Sequence, residues 1–326
     1  MHLKTHPWRL SAAAAALALA VVAGALGVSA PAGAAPADIN CAEPVTTAPT
    51  AQATVSVAST SYGNVLVEGA GSHAGCSLYV LSSDAQPFAC SDNANLLNLP
   101  CDSVLWPALL TDGAPIAGPG VNPTLLGTVT RNDVPGLGAV QQVTYAGLPL
   151  YRFLFDESPG ETEGANLFDP VTSPPGTWFL VEPSRGRIAP GQAQLQPETV
   201  GGRTVLSSAM DDSFSLNGSQ HSTFPVYTLS TDSHRGPDKS ACDGACTLHW
   251  APVLTSGQPG AAAGIDRRAL GTIVRSDGSH QVTYNGKPLY LFYGDAYING
   301  LPYGTARIDG DGAVTPWGMF SAVPLP

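Results

Sequence analysis

Four aspartates, Asp84, Asp156, Asp232 and Asp295, each stand five residues after a tyrosine: Tyr79, Tyr151, Tyr227 and Tyr290. Carboxylates repeated at equivalent strand ends can ring a channel and hold a hard cation. A pair at the right separation can act as acid and base in glycoside hydrolysis. Each can also close a local turn, because an aspartate accepts hydrogen bonds from backbone a few residues on; four units need four such turns, and the residues favour this reading. A tryptophan follows each tyrosine by 23 or 27 residues: Trp106, Trp178, Trp250 and Trp317, spaced 72, 72 and 67 apart. Aromatic sets of this kind can stack sugars, but one tryptophan per repeat more commonly packs as core.

A second constellation is metal-like. His221, His234 and His249 fall in the third repeat near Met210 and the pair Cys242/Cys246, types that suit copper or another soft metal. Their gaps of 13 and 15 residues match no compact ligand motif, so surface histidines are the plainer reading and a metal is possible but not expected. Asp309-Gly310-Asp311-Gly312 looks like the start of a calcium loop. Its twelfth position is Phe320 rather than the bidentate glutamate such a loop needs, which leaves a tight turn. No nucleophile elbow, His-Glu-x-x-His, phosphate loop or dinucleotide fingerprint is present. No catalytic residue or cofactor is assigned, and an enzyme is not the favoured class.

The recurrence that places these residues is a repeat. Gln142-Val143-Thr144-Tyr145, an Ala146-Gly147 turn and Leu150–Phe155 are echoed by Gln281-Val282-Thr283-Tyr284, Asn285-Gly286 and Leu289–Tyr293. Asn-Gly is a strong hairpin signal. Units one and three form a second flavour, with strands expected over Thr54–Ala58, Asn64–Glu68, Ser77–Ser82 and Val104–Leu110, and over Thr204–Ser208, a polar Ser213–Gly218 hairpin, Val226–Ser230 and Leu248–Leu254. The order is A-B-A-B. The chain reads as all-β: four repeated four-stranded antiparallel units in two tandem modules, propeller-like or a paired sandwich. Residues 54–183 form module one, 184–202 a Gly/Pro-rich linker, and 203–326 module two. The third strand of each B unit is apolar on both faces and must lie inside a sheet between two layers.

Lys4 and Arg9, the apolar run Leu10–Val28 and Ala35-Pro36-Ala37 read as an export signal over residues 1–37, followed by a tail over 38–53. Its removal leaves 12 basic against 25 acidic residues, or −13. That balance argues against nucleic acid and anionic membrane surfaces as partners, and no later stretch is long enough to span a bilayer. Six cysteines in an exported chain favour disulfides. Cys90/Cys101 and Cys242/Cys246 occupy matching places in units one and three, which leaves Cys41 for Cys76.

The strings Leu-Tyr-x-Phe-x-x-Asp, Gln-Val-Thr-Tyr-x-Gly-x-Pro-Leu-Tyr and Cys-Asp-Gly-Ala-Cys-x₃-Trp-Ala-Pro-Val resemble bacterial secreted repeat proteins described as predicted lipoproteins with a Tyr-x-[Phe/Trp/Tyr]-x-x-Asp motif. The resemblance runs over about residues 54–323. Units two and four carry the aromatic as Phe153 and Phe292; units one and three have Leu81 and Leu229 instead. The family's function is unknown, so the resemblance implies repeat and compartment, not chemistry. Asp38-Ile39-Asn40 before Cys41 is no lipobox, which points to a secreted or wall-associated protein rather than a lipid-anchored one. The favoured function is a non-enzymatic cell-envelope module, binding or structural, with an unknown envelope or extracellular ligand. A metal-handling or redox-accessory protein and a hydrolase with a site between units are the alternatives.

Overall fold

Each half of the molecule opens on a hairpin. Thr54–Thr60 pairs antiparallel with Gly63–Glu68, and Ile116–Ala117 joins its other edge in parallel. In the second half Gln194–Val200 pairs with Arg203–Ala209 and takes Gly260–Ala261 in parallel. These strands belong to a computed structural model in which residues 39–84, 88–91, 95–96, 99–169, 172, 176–209, 223–233, 240–296 and 307–326 are described. The expected export signal over residues 1–37 and the expected Ser213–Gly218 hairpin lie outside them. Residues 38–326 gather into one unit, so both halves share a single body.

The span 184–202, expected to be linker, therefore ends in a strand. Gln194–Val200 reads as polar because most of its side chains meet solvent, and only Leu195 and Val200, near its two ends, are buried. Gly201 and Gly202, both at positive φ, make the turn. What joins the halves is shorter, and part of it, Ile188–Ala189, pairs with the end of Gly176–Val181.

The hairpins read from the Gln-Val-Thr-Tyr strings form as expected. Leu126–Arg131 pairs with Val140–Tyr145, and Leu270–Val274 with His280–Tyr284. Two-residue turns return each chain, Tyr145 facing Leu148 and Tyr284 facing Lys287. Both turn residues have positive φ in each case: Ala146 at 50° and Gly147 at 86°, Asn285 at 49° and Gly286 at 77°. This is the type I′ geometry that matches strand twist. Alanine tolerates it poorly and asparagine well. Ala146→Asn is expected to raise stability by about 0.5–1 kcal/mol, read as a higher urea midpoint with unchanged slope; a lower midpoint would contradict the assigned turn.

A central sheet in each half carries the repeat. In the first half Tyr79–Leu81 pairs antiparallel with Gly176–Val181, Tyr79 bridges Tyr151, and Tyr151 bridges Ala108. In the second, Trp250–Pro252, Tyr290–Phe292, Tyr227–Leu229, Gly318–Ala322 and Val314–Thr315 follow one another across the sheet. The spatial order is thus A fourth strand, B third, A third, B fourth. The units are interleaved in pairs rather than closing one sheet each. The reason is burial: apart from Arg152 and Thr228, both third strands are apolar on both faces, so both lie inside the sheet, and they do so side by side.

One face of the first sheet carries Tyr79, Trp106, Tyr151, Phe153 and Trp178. The other carries Leu78, Val80, Leu150 and Phe179 beneath hairpin residues Val55, Leu66 and Val143. The second half repeats this with Tyr227, Trp250, Tyr290 and Phe320 on one face and Val226, Leu289 and Leu291 under Leu195, Leu206 and Val282 on the other. The all-β reading stands, with local departures. Cys101–Leu105 is a π-helical turn, so the expected Val104–Leu110 strand keeps only the bridge at Ala108 and its last residue, Leu110, which pairs as part of Leu110–Thr111. Leu150–Phe155 is paired only at Tyr151, which bridges Tyr79 on one side and Ala108 on the other, before turning. Among the described residues no helix is long and apolar enough to cross a membrane.

Candidate functional site

The repeated tyrosine and aspartate meet across units, not within them. Tyr79 Oη donates to Asp156 Oδ2 at 2.7 Å, and Tyr151 Oη donates to Asp84 Oδ2 at 2.6 Å. The second half repeats the crossing: Tyr227 donates to Asp295, and Tyr290 to Asp232 at 2.8 Å. The paired third strands run antiparallel, so each tyrosine is carried toward the loop that follows its neighbour. The remaining carboxylate oxygens accept loop amides from Ala89, Glu163, Ala241 and Asp309 at 2.7–2.8 Å. The turn-closing reading of the aspartates is therefore half of their role; the other half is a reciprocal lock between units. They form no ring around a channel.

Tryptophan placement follows the same logic, with one slip. Trp106 stacks on Trp178 at 3.8 Å between centroids and on Phe153 at 4.1 Å. Trp250 stacks on Phe320 at 3.7 Å and on Phe292 at 4.4 Å. Phe320, opposite Leu229, holds the place that Trp178 holds opposite Leu81. Trp317, expected in that place, is only half-buried; it follows Tyr290 by the same 27 residues that separate Trp178 from Tyr151, so the spacing hides the slip. The motif's aromatic in B units is the ring that stacks on the A-unit tryptophan, while A-unit leucines face the B-unit ring. Gly164 and Gly310 lie against the indoles of Trp106 and Trp250, where a Cβ would collide, which accounts for one glycine of the Asp-Gly-Asp-Gly turn. Two indoles stacked in parallel couple their transitions. The wild type is expected to show an exciton couplet in its ultraviolet circular dichroism that Trp106→Phe and Trp178→Phe each abolish and Trp317→Phe leaves intact. A couplet surviving either of the first two would contradict the stack.

Sequence reading passed over one arginine and one glutamine per half. Arg131 Nη1 donates to Gln142 Oε1 at 2.6 Å and to Tyr151 Oη at 3.1 Å, while Nη2 reaches Cys90 O and Asp102, both at 2.8 Å. Arg275 donates to Gln281 Oε1 at 2.7 Å, Ser240 Oγ at 3.1 Å and Cys242 O at 3.0 Å. Gln142 and Gln281 each donate onward to the carbonyl of the leucine before the tyrosine. The signal was present: Arg131 ends, and Arg275 directly follows, the strand preceding the shared Gln-Val-Thr-Tyr string. The disulfides that present the carbonyls are those expected: Cys90–Cys101 and Cys242–Cys246, with Cys41–Cys76 tying down the tail.

Burial pushes Asp156 and Asp295 up to about 7, even though tyrosine and amide hydrogen bonds pull the other way. Asp84 and Asp232 are also raised by burial, but Arg131 and Arg275 help to hold them down. Burial likewise raises Tyr79 and Tyr151, with Asp156 and Asp84 adding to it. A carboxylate near 7 in a cleft would suggest a general acid. Here both oxygens are occupied and the group is in the core, at 1% exposure for Asp156 and 5% for Asp295. Their first role is structural.

The metal constellation is not assembled among the described residues. His249 is exposed, its ring 5.5 Å from Tyr293, and the Cys242/Cys246 sulfurs are bonded to each other. His221, His234 and Met210 lie outside the described residues. No group of three or more His, Cys, Asp or Glu able to hold a metal occurs among those described.

Clefts open where the two halves meet. One, of about 490 Å³, is lined from the first half by Ser61, Tyr62, Asn166 and Phe179 and from the second by Gln194, Ser208 and Ser256, among others. A neighbour of about 340 Å³ is charged, with Arg185, Arg187, Arg275, Asp243 and Asp277 in its wall. Leu254 of the second half packs against the first half's core, so these clefts have fixed walls.

Residues 128–169 and 271–300 match a family described as a secreted repeat of unknown function. Both segments start in the strand that leads to the arginine and run through the Gln-Val-Thr-Tyr hairpin into the Tyr-x-Phe-x-x-Asp motif of a B unit. Each of the two segments is similar to that repeat. No curated protein and no solved structure matches the chain.

Proposed function

We propose that this chain is an exported, non-catalytic module of the bacterial cell envelope that binds an extracellular ligand in the cleft between its two halves. It is free in the medium or wall-associated, without a lipid anchor. The observation that carries this is where the repeated side chains go. The tyrosines and aspartates satisfy one another in the core, so the motif builds a scaffold and leaves recognition to the seam, where two different halves meet. A cleft of about 490 Å³ falls within the ~300–1,000 Å³ of small-ligand sites, which favour such junctions. The test is co-sedimentation with an insoluble envelope preparation, comparing wild type with Ala209→Trp, which fills the cleft wall. Wild type is expected in the pellet and the variant in the supernatant, with no soluble fragments released from the envelope. Both proteins in the supernatant, or both in the pellet, would count against the seam; steady release of fragments would favour the hydrolase.

A further inference from the structure

We infer that the seam cleft accepts an uncharged carbohydrate; this rests on the seam being the binding site and names its ligand class. The first support is charge. None of the cleft's described lining residues is ionisable as Asp, Glu, Lys, Arg or His, in a chain with 12 basic and 25 acidic residues after residue 37. An ionic ligand placed there would lose water and gain no counter-charge, which is strongly unfavourable. The contrast is local, because the neighbouring cleft gathers three arginines and two aspartates.

The second support is the kind of polar group present. Hydroxyls and amides, from Ser61, Asn166, Thr177, Gln194, Ser208 and Ser256, both donate and accept. That dual character matches sugar hydroxyls, which do the same. Tyr62 adds an aromatic face. Gly191 lies close against its ring, where a Cβ would collide, so a residue with a side chain there would displace the ring.

The third support is an unmet hydrogen bond. Asn166 lines the cleft, and its Oδ1 is buried without a partner. The residue also sits at φ 61°, a left-handed conformation that asparagine tolerates better than most. A buried acceptor left unpaired is a standing cost, and strained backbone and unmet polar groups gather at binding sites. That oxygen is closed to solvent in the free protein; a turn of the Asn166 side chain toward the cleft on binding would let a ligand hydroxyl donate to it and remove that cost.

The experiment is NMR titration of the folded, disulfide-intact protein with maltohexaose, cellohexaose, mannohexaose and chitohexaose, and with oligogalacturonate as the anionic control. At least one neutral hexamer is expected to shift amides around residues 61–62, 166 and 190–194 and to bind at least ten-fold more tightly than oligogalacturonate. Asn166→Gly, which keeps the left-handed backbone, and Ser61→Trp, on an exposed turn at the rim, are each expected to weaken binding at least ten-fold while leaving the unfolding midpoint close to wild type. Binding of oligogalacturonate as tight as any neutral hexamer, shifts elsewhere that survive both variants, or no response to any hexamer would each overturn the carbohydrate assignment. If envelope co-sedimentation is still lost in Ala209→Trp, the seam stands and only the ligand class falls; if that dependence is absent too, both readings fall together.

Discussion

Arg131→Met is expected to destabilise the protein by about 3–5 kcal/mol, the usual cost of breaking a buried ion pair from one side. Arg131 and Asp102 are both fully buried and 2.8 Å apart. Removing the guanidinium takes the ion-pair partner from the buried Asp102 carboxylate, takes donors from Cys90 O and Gln142 Oε1, and ends the packing over Phe88 at 4.4 Å. The repeat supplies its own control. Arg275 has the same glutamine and cysteine carbonyl, but its acid, Asp243, is 64% exposed and 3.4 Å away. Water takes over an exposed carboxylate, so Arg275→Met should cost only what two or three lost hydrogen bonds cost, about 1–3 kcal/mol. Adding Asp102→Leu to Arg131→Met should recover part of the larger loss, because the buried charge goes with it. Urea unfolding of the four proteins decides this. Equal costs at the two arginines, or no recovery in the double variant, would show that the buried charge is not what matters.

That asymmetry explains why sequence exposed some of this design and hid the rest. Turns and local pairs were legible because their causes are local: Asn285-Gly286 demands its own backbone, and cysteines 4 or 11 residues apart have few other partners. The interior position of the B-unit third strand was legible because it is apolar on both faces. Which unit's tyrosine meets which aspartate was not. Tyr79 and Asp156 are 77 residues apart, and a five-residue motif invites a reading within one unit. Only the antiparallel pairing of two interior strands sends each tyrosine to the other's loop. Trp317 misled for a related reason. A composition ruler cannot see that the strand has slid so that Phe320 fills the place of Trp178. Arg131 was hidden by type: an arginine at a strand end reads as surface until its position is compared between copies, when Arg131 and Arg275 align.

The crossed pairs also set how stability depends on pH. Asp156 and Asp295 are each held near 7 in the folded state by burial, against an unfolded value of roughly 3.9. A carboxyl raised in the folded state keeps a proton that the unfolded chain releases. Its stabilising contribution is fully present below about pH 4 and is lost as pH rises through about 7, with a limiting slope of about 1.4 kcal/mol per pH unit for each group. Asp84 and Asp232 shift in the same direction. Asp243 and Asp311 are lowered, by a Ser276 hydrogen bond in the first case and by Arg203 and the Ala322 amide overcoming burial in the second; their opposite contribution is lost only as pH falls below the normal carboxyl range. The protein is therefore expected to unfold at higher urea at pH 5 than at pH 7.5, the reverse of a chain whose carboxylates sit in salt bridges. Asp156→Asn and Asp295→Asn should each flatten that dependence between pH 5 and 7.5, and together nearly remove it, whatever each costs in absolute stability by losing an acceptor for its tyrosine. Unfolding midpoints that are level or rise from pH 5 to 7.5 in the wild type would mean that the two aspartates are ionised in the core at neutral pH and that the tyrosine hydrogen bonds outweigh burial.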